Sequence, residues 1–165
     1  MMSVSRLVVL TIAAMSLAVA GCSSDEGSSD DEGAAPESFD FGQPADPADA
    51  DRTVEISAND DFSFDPDAVE VQVGEVVTFS VTNSGDLPHE FTLGPGDVQQ
   101  EHEEEMAKMG DMEMDDDVNA ISVPAGETVD LTWEFTEAGS VLYGCHTQGH
   151  YEAGMLGNIE VAQPS

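Results

Sequence analysis

Residues 141–161 read "VLYGCHTQGHYEAGMLGNIEV", and this stretch joins two strand-like runs through one short loop. The first run, "VLYGC", and the last, "LGNIEV", are rich in β-branched, aromatic and aliphatic side chains, which is typical of strands. The residues between them are mostly Gly, Glu, Gln and Thr, which predicts a loop rather than a helix. Four soft or borderline metal ligands lie in this region: Cys145, His146, His150 and Met155. A loop can present three of them, Cys145, His150 and Met155, to one ion.

Short alternating apolar runs of the same kind continue upstream of this stretch, back to residue 52. They include "TVEIS", "VEVQV", "VVTFSVT", "HEFTL", "AISV" and "TVDLTWEF", and turn residues such as Gly, Pro and Asn separate them. Seven or eight short strands with regular turn signals predict an all-β domain, an antiparallel β-sandwich of Greek-key type. The expected core contributors are Phe62, Phe64, Phe79, Phe91, Leu131, Trp133 and Phe135.

One segment, residues 96–119, interrupts the β pattern. Good helix formers occupy residues 98–109, and Gly110 stands where a helix would end. We therefore expect one acidic helix inserted between two strands, followed by an acidic loop.

The inserted segment also carries a second group of soft metal ligands. His102, Met106 and Met109 are spaced i, i+4, i+7 and so share one helix face, and Met112 and Met114 follow. Imidazole and thioether together suit Cu(I), so an auxiliary copper site is one interpretation. The other is a methionine stripe that packs the helix onto the sandwich.

The first 22 residues have the pattern of an export signal. A single basic residue, Arg6, precedes an apolar run over residues 7–20. This run is short for a membrane-spanning helix. The sequence Val-Ala-Gly-Cys that ends at Cys22 resembles a bacterial lipobox, in which the cysteine is lipidated. We expect a lipoprotein signal peptide over residues 1–21, with an ordinary secretory peptide as the alternative.

The segment that follows predicts a flexible connection. Residues 22–51 are rich in Ser, Gly, Pro, Ala and acidic side chains, and such a composition does not bury enough apolar surface to fold. We expect a disordered acidic tether here and a single folded domain over residues 52–165.

The charge of the whole chain limits its partners. Asp and Glu number 35 against 3 Lys and Arg, so the formal net charge is −32, which argues against nucleic acid because phosphate binding needs a basic surface. Basic proteins, divalent cations and salty media fit better. Solubility in a salty habitat and attraction of a basic partner are both open explanations.

The loop ligands need a fourth partner, and His89 is the best placed. It begins the run "HEFTL" directly after the turn "NSGDLP", where one end of a sandwich can supply a ligand to a loop. A trigonal set of two His and one Cys with a weak axial Met is the signature of a blue-copper electron-transfer site. Structural zinc sites use Cys and His but not Met, so zinc fits less well.

On these residues and strand patterns, the segment from about residue 52 to 163 resembles the cupredoxins, the blue type 1 copper proteins of the plastocyanin/azurin kind. The Cys-x4-His-x4-Met spacing is most similar to that of auracyanin and sulfocyanin. The resemblance implies one type 1 copper ion in a monomer. It also implies four metal ligands: His89, Cys145, His150 and Met155.

Two residues depart from the pattern of the family. His146 directly follows the cysteine, as it does in multicopper oxidases, but the chain lacks the His-x-His pairs those enzymes need. We expect His146 to lie on the surface or to support the ligands, with binding of copper in a pH-dependent way as the lesser alternative. Glu90 stands where several cupredoxins have Asn or Ser, and this leaves the reduction potential open.

The resemblance implies an electron carrier that cycles between Cu(II) and Cu(I). Together with the lipobox-like sequence at Cys22, it predicts a carrier anchored to the membrane outside the cytoplasm, on the periplasmic or outer face of the cell. We expect a basic redox partner to dock near His150. An alternative is a copper-binding lipoprotein that scavenges, stores or delivers copper. Four protein ligands leave no open position for a substrate, which argues against an enzyme. The expected docking patch comprises Leu87, Pro88, Tyr151, Ala153 and Leu156.

Overall fold

The computed structural model describes residues 38–109 and 117–165. In these residues the fold consists of two five-stranded β-sheets, one α-helix and a short 3-10 helix at Pro47–Asp49. The helix α1 spans Gly96–Met109 and lies between β6 and β7 in the chain. The ten strands are β1 Gly42–Pro44, β2 Arg52–Asn59, β3 Ser63–Asp65, β4 Ala68–Gln72, β5 Val76–Asn83, β6 His89–Gly94, β7 Ala120–Val123, β8 Thr128–Phe135, β9 Gly139–Gly144 and β10 Leu156–Ala162.

The strand order shows a sandwich with crossovers between its two sheets. One sheet has the order β1-β8-β5-β2-β3 and the other β4-β10-β9-β6-β7. The predicted all-β sandwich is confirmed, but the prediction of purely antiparallel pairing is wrong. β2 pairs with β5 and β4 pairs with β10 in parallel, because the chain changes sheets between the members of each pair.

Alternating side chains build the core between the sheets. In β2, for example, Val54, Ile56 and Ala58 are buried while their neighbours face solvent, which is the period-two pattern of a strand with one wet face. Of the seven expected core residues, six are buried, and Trp133 is fully so. Phe62 is the exception, since it is only partly buried and packs against the edge of the core.

The predicted helix is present, and its buried face is polar. The helix packs on β6 and β9, and the side chains that it turns inward include Gln99 and His102, both buried. Met106 is only half-buried. Polar side chains therefore contribute to the packing of the helix beside any methionine stripe. The acidic loop expected after the helix lies largely outside the described residues.

The folded part begins earlier in the chain than residue 52, so the prediction of a tether reaching residue 51 is wrong at its C-terminal end. β1 pairs antiparallel with β8, and Phe41 is buried with its ring 5.3 Å from that of Trp133. Phe39 packs beside them at 5.3 Å from Phe41. These two aromatic side chains bury apolar surface although the average composition of the segment is that of a disordered chain.

The predicted signal peptide over residues 1–21, the lipidation site Cys22 and the tether up to residue 37 lie outside the described residues. Within the part of the chain that the structure describes, no helix is both long and apolar enough to cross a membrane.

Candidate metal centre

Adjacent strands bring the candidate ligands to one end of the second sheet. His89 is the first residue of β6, and Cys145 directly follows β9, its antiparallel neighbour. His150 lies in the loop after Cys145, and Met155 is the last residue before β10. The prediction that a strand start and a loop would meet at one end of the sandwich therefore describes the observed geometry.

The loop between β9 and β10 closes on itself through backbone hydrogen bonds. The N–H of Cys145 donates to the carbonyl of Met155 at 3.1 Å, and the N–H of Met155 donates to that of His150 at 3.0 Å. Gly149 and Gly154 have φ values of 84° and 96°, which side chains with a Cβ adopt only at a cost. The glycines that precede His150 and Met155 thus allow the loop to turn back toward Cys145.

A second rigid turn presents His89. The side chain of Asn83 donates to the carbonyls of Leu87 and Val123 at 2.7 and 3.0 Å and accepts from the N–H of Gly85 at 3.0 Å. The carboxylate of Asp60 also accepts from the turn, at 3.0 Å from the N–H of Asp86. These bonds hold the turn "NSGDLP" and so position the start of β6.

The ligand atoms of the three strongest candidates converge. The Sγ of Cys145 lies 3.8 Å from Nδ1 of His89 and 3.4 Å from Nδ1 of His150, and all three ligand atoms lie within 4.8 Å of one another. Two atoms bound at about 2.0 and 2.3 Å to one trigonal ion, as His and Cys bind zinc, would be about 3.7 Å apart. The observed separations therefore fit a shared ion, and the cluster fits a type 1 copper site.

The site is sheltered from water and rich in sulfur. Cys145 and Met155 are fully buried, and His89 and His150 are 2% and 7% exposed. Burial lowers the pKa of both histidines, so at neutral pH their imidazoles are uncharged and free to bind a metal. Met155 is joined to Cys145 and His150 by backbone hydrogen bonds, and its role as a ligand stays a prediction.

The sulfur of Cys145 receives a hydrogen bond from across the sheet. The backbone N–H of Glu90 donates to it at 3.3 Å. Burial raises the pKa of the Cys145 thiol, while hydrogen bonds from Thr147 and from the Glu90 N–H act in the opposite direction. In the metal-free protein the sulfur therefore holds its proton, which a bound cation would displace.

Asp60 faces the far side of the His89 ring. Its Oδ1 lies 3.8 Å from Nε2 of His89, the ring nitrogen that points away from Cys145 and that has no hydrogen-bond partner among the described residues. Hydrogen bonds from the N–H groups of Asp86 and Leu87 keep the pKa of Asp60 below its usual value. A carboxylate behind a metal-binding imidazole is a common way to orient the ring.

Phe62 packs against the other imidazole, and the sequence analysis missed this role. The ring centroids of Phe62 and His150 are 4.5 Å apart. Phe62 has a φ of 62°, a left-handed conformation that is rare for a bulky residue and that persists where surrounding structure imposes it. The polar run Asn59-Asp60-Asp61 before it signals a tight turn, but not that the next side chain would reach the metal centre.

The two remaining histidines of the chain, His102 and His146, lie behind the site. His146 is 1% exposed, so a surface position is excluded, and its ring stacks on Tyr151 with centroids 4.5 Å apart. Its Nε2 lies 2.7 Å from Oε1 of Gln99, and its Nδ1 lies 2.6 Å from Oε2 of Glu103. With both nitrogens engaged, His146 supports the ligand loop.

The predicted auxiliary copper ligands are only partly described. The Nε2 of His102 lies 2.5 Å from Oε1 of the buried Glu90. Met106 lines a cavity of about 230 Å³ together with His146 and Glu152. The side chain of Met109 and the residues Met112 and Met114 lie outside the described part of the structure, so the auxiliary site stays a prediction.

The chain matches one protein family over most of its described length. That family is described as copper binding proteins of the plastocyanin/azurin family, and the match covers residues 50–162. The matched range includes both sheets apart from β1, and it contains all four predicted ligands.

Three proteins named copper-resistant cuproprotein CopI are similar to the chain. A copper-resistant cuproprotein CopI of Rubrivivax gelatinosus is 41% identical over 121 residues, which are 73% of each chain. A protein of the same name in Pseudomonas aeruginosa is 36% identical over 73% of this chain and 82% of its own. A third, in Vibrio cholerae, is 37% identical over 74% of this chain and 72% of its own.

Solved structures of auracyanins share the fold. Reduced auracyanin from Roseiflexus castenholzii superposes with a TM-score of 0.60 at 22% identity, over 68% of this chain and 98% of that one. Auracyanin A from Chloroflexus aurantiacus, a blue copper protein, gives 0.56 at 27% identity, over 66% and 97%. Two predictions from the sequence are confirmed: the chain is a cupredoxin, and its cofactor is copper.

Proposed function

Because the chain belongs to the plastocyanin/azurin family of copper-binding proteins, we propose that it carries single electrons through one type 1 copper ion. The observation that carries this proposal is the buried, converging set of His89, Cys145 and His150. Bound copper would supply one-electron chemistry by cycling between Cu(II) and Cu(I). Met155 would complete the ligand set from the end of the loop, leaving no open position for a substrate.

The hydrogen bonds that hold the protein around the ligands support a redox role. The turn before His89 and the loop from Cys145 to Met155 are each held by their own hydrogen bonds, independent of any metal. A protein that keeps its ligands in place limits the rearrangement that accompanies a change in oxidation state. This is the structural property that an electron carrier needs and that a simple copper store does not.

Electrons would enter and leave through the edge of His150. Of the two ligand imidazoles it is the more exposed, at 7% against 2% for His89. Two large apolar side chains are exposed near the ligands in the chain, Leu87 at 39% and Leu156 at 40%. They support the predicted docking patch, an apolar surface on which a partner could approach the imidazole.

The partner would be basic, and the protein would work outside the cytoplasm. The formal charge of −32 favours attraction of a positively charged protein toward the surface. The export signal and the lipobox-like sequence at Cys22 support a lipid anchor on the outer face of the membrane. The residues between this cysteine and Phe39 would act as the tether.

Copper tolerance is a second candidate function, and the names of the relatives favour it. Three similar proteins are named copper-resistant cuproproteins, and each aligns with more than 70% of this chain. On this alternative the protein would scavenge, store or deliver copper under copper stress. The two candidates use the same site and differ in what leaves the protein, an electron or the metal ion.

Voltammetry and copper transfer, measured on the same copper-loaded protein, separate the two candidates. A carrier should give a reversible one-electron wave and should keep its copper when a Cu(I) chelator is present in modest excess. A delivery protein should lose Cu(I) to the chelator within minutes of reduction. Cys145→Ser, which keeps the size of the side chain but replaces the sulfur, is the matched control and should abolish the reversible wave. An irreversible wave in the unaltered protein would rule out the carrier.

A further inference from the structure

The helix inserted between β6 and β7 reaches the metal centre through a buried carboxylate. Glu90 is 8% exposed, and its Oε1 receives Thr92 Oγ1 at 2.7 Å and faces Nε2 of His102 at 2.5 Å. Burial alone would raise the pKa of Glu90, but the hydrogen bond and charge of His102 lower it, so the carboxylate is ionised. The same residue donates its backbone N–H to the sulfur of Cys145.

A second contact joins the helix to the residue that follows the cysteine. The amide oxygen of Gln99 can only accept, so Nε2 of His146 carries the proton in their 2.7 Å contact. On the other side of the ring, Nδ1 lies 2.6 Å from Oε2 of Glu103. The imidazole of His146 is thereby fixed at both nitrogens by two side chains of one helix.

Gln99 ties this arrangement to the sheet itself. Its side chain is fully buried, and its Nε2 donates to the carbonyl of Thr92 at 2.8 Å and to that of Leu142 at 3.3 Å. A Cβ at Gly144 would lie 2.5 Å from Oε1 of Gln99, so the residue before Cys145 must be small for the helix to approach this closely. The contact between α1 and the sheet therefore involves a glycine, a buried amide and two buried histidines.

We propose that α1 positions the copper thiolate, with His102 acting on the N–H donor Glu90 and with Gln99 and Glu103 acting on His146. This inference rests on the proposed type 1 copper site and adds positioning residues to it. Groups that orient metal ligands without touching the metal change metal affinity by about 10- to 100-fold when removed. Here the affected quantities are the position of Glu90's N–H relative to the sulfur and the path of the chain at Cys145.

A pair of amide substitutions at His102 isolates the contact with Glu90. In His102→Gln the amide nitrogen takes the place of Nε2 and can still donate to Glu90. In His102→Asn it takes the place of Nδ1, which faces Asp117 at 3.5 Å, and the bond to Glu90 is lost. We expect His102→Asn to bind copper about tenfold more weakly, with a shifted thiolate-to-copper band and potential, and His102→Gln to stay close to the unaltered protein.

A second pair on the helix surface guards against a variant that does not fold. Glu103→Ala removes the partner of Nδ1 of His146, whereas Glu104→Ala removes the same charge from the exposed face of the same helix. Alanine favours helix at both positions. We expect the band and the potential to shift in Glu103→Ala only. Unshifted values in both Glu103→Ala and His102→Asn, or equal shifts in Glu103→Ala and Glu104→Ala, would overturn the proposal.

A measurement without copper keeps this proposal separate from the proposed function. In the metal-free full chain, the rate at which iodoacetamide alkylates Cys145, followed on the peptide that contains Cys145 and not on the one that contains Cys22, reports how firmly the thiol is held. We expect it to rise several-fold in His102→Asn and Glu103→Ala relative to His102→Gln and Glu104→Ala. If the unaltered protein showed no thiolate-to-copper band, the proposed function would fail, while the alkylation rates would still decide whether α1 positions the thiol. Equal rates in all four variants would contradict it.

Discussion

The backbone N–H of Glu90 donates to the sulfur of Cys145 across 3.3 Å, although 55 positions separate the two residues in the chain. The pairing of β6 with β9 creates this contact, because it places the start of one strand beside the end of the other. The same pairing brings His89 to the sulfur. One strand pairing therefore places both the N–H that donates to the sulfur and the first histidine ligand. The loop from Cys145 to Met155 adds the remaining candidate ligands.

The aromatic cluster at the N-terminal edge should contribute strongly to stability. Phe41→Ala removes a buried ring that contacts Trp133, and we expect the free energy of unfolding to fall by about 3–5 kcal/mol. Leu87→Ala, at a side chain that is 39% exposed, is the control and should cost far less. Urea unfolding of the metal-free chain measures both. Equal losses would show that residues before β2 are not part of the folded domain.

The backbone strain at Phe62 can be tested by two small substitutions. Both Phe62→Gly and Phe62→Ala remove the ring that packs on His150, but only glycine adopts a φ of 62° without strain. We expect the glycine variant to be more stable than the alanine variant by about 1 kcal/mol, the reverse of the usual order within regular structure. Denaturant unfolding decides the order, and a more stable alanine variant would contradict the assigned conformation.

The pair of His102 and Glu90 should make stability depend on pH. Burial opposes the charged imidazole, but the carboxylates of Glu90, Asp117 and Glu105 raise the pKa of His102 above its ordinary value. The folded state then binds a proton more tightly than the unfolded state, so this contribution is full below about pH 6.5 and is lost as the pH rises through the raised value. The ring of His146 touches that of His102 edge-on, with centroids 4.8 Å apart.

The measurement is the difference in unfolding free energy between the unaltered metal-free protein and His102→Gln, from about pH 6 to pH 9. The subtraction removes the contribution of the many surface carboxylates. We expect the advantage of the unaltered protein to shrink as the pH rises. A difference that stays constant, or that grows with pH, would contradict the assigned pairing.

The negative surface should control the rate of electron exchange. Hexaammineruthenium, a cation, should exchange electrons with the copper-loaded protein more slowly as NaCl increases. The reason is that the Debye length, the range of the electrostatic attraction, falls from about 30 Å at 0.01 M to about 3 Å at 1 M. Hexacyanoferrate, an anion, should speed up over the same range. Stopped-flow absorbance follows both reactions. Rates that ignore salt for both probes would show that the charge does not steer partners.

Much of the fold could be predicted because it depends on local patterns. Alternation in strands such as β2 and β8, together with Gly and Pro between them, indicates a sandwich without any knowledge of tertiary contacts. Parallel pairing of β2 with β5 could not be predicted in this way, since it depends on where the chain crosses between sheets. β1 was missed because it has only three residues, Gly42–Pro44, and lies in a segment of disorder-like composition.

The candidate ligands could be predicted because metal-binding residues are scarce in this chain and the loop spacing is informative. The groups that support them could not. Gln99 and Glu103 look like ordinary helix formers in the sequence, and only the packing of α1 on β9 turns them toward His146. Phe62 reaches His150 through an unusual backbone conformation, which no side-chain pattern announces.

The most direct test of a type 1 copper site is the visible and EPR spectrum of the chain after addition of one equivalent of Cu(II), compared with that of Cys145→Ala. Because the folded domain includes β1, the protein should begin no later than residue 38. We expect an intense thiolate-to-copper band and narrow copper hyperfine splitting, both lost in Cys145→Ala. A weak band with the EPR signal of ordinary square-planar Cu(II), unchanged by the substitution, would contradict the assignment.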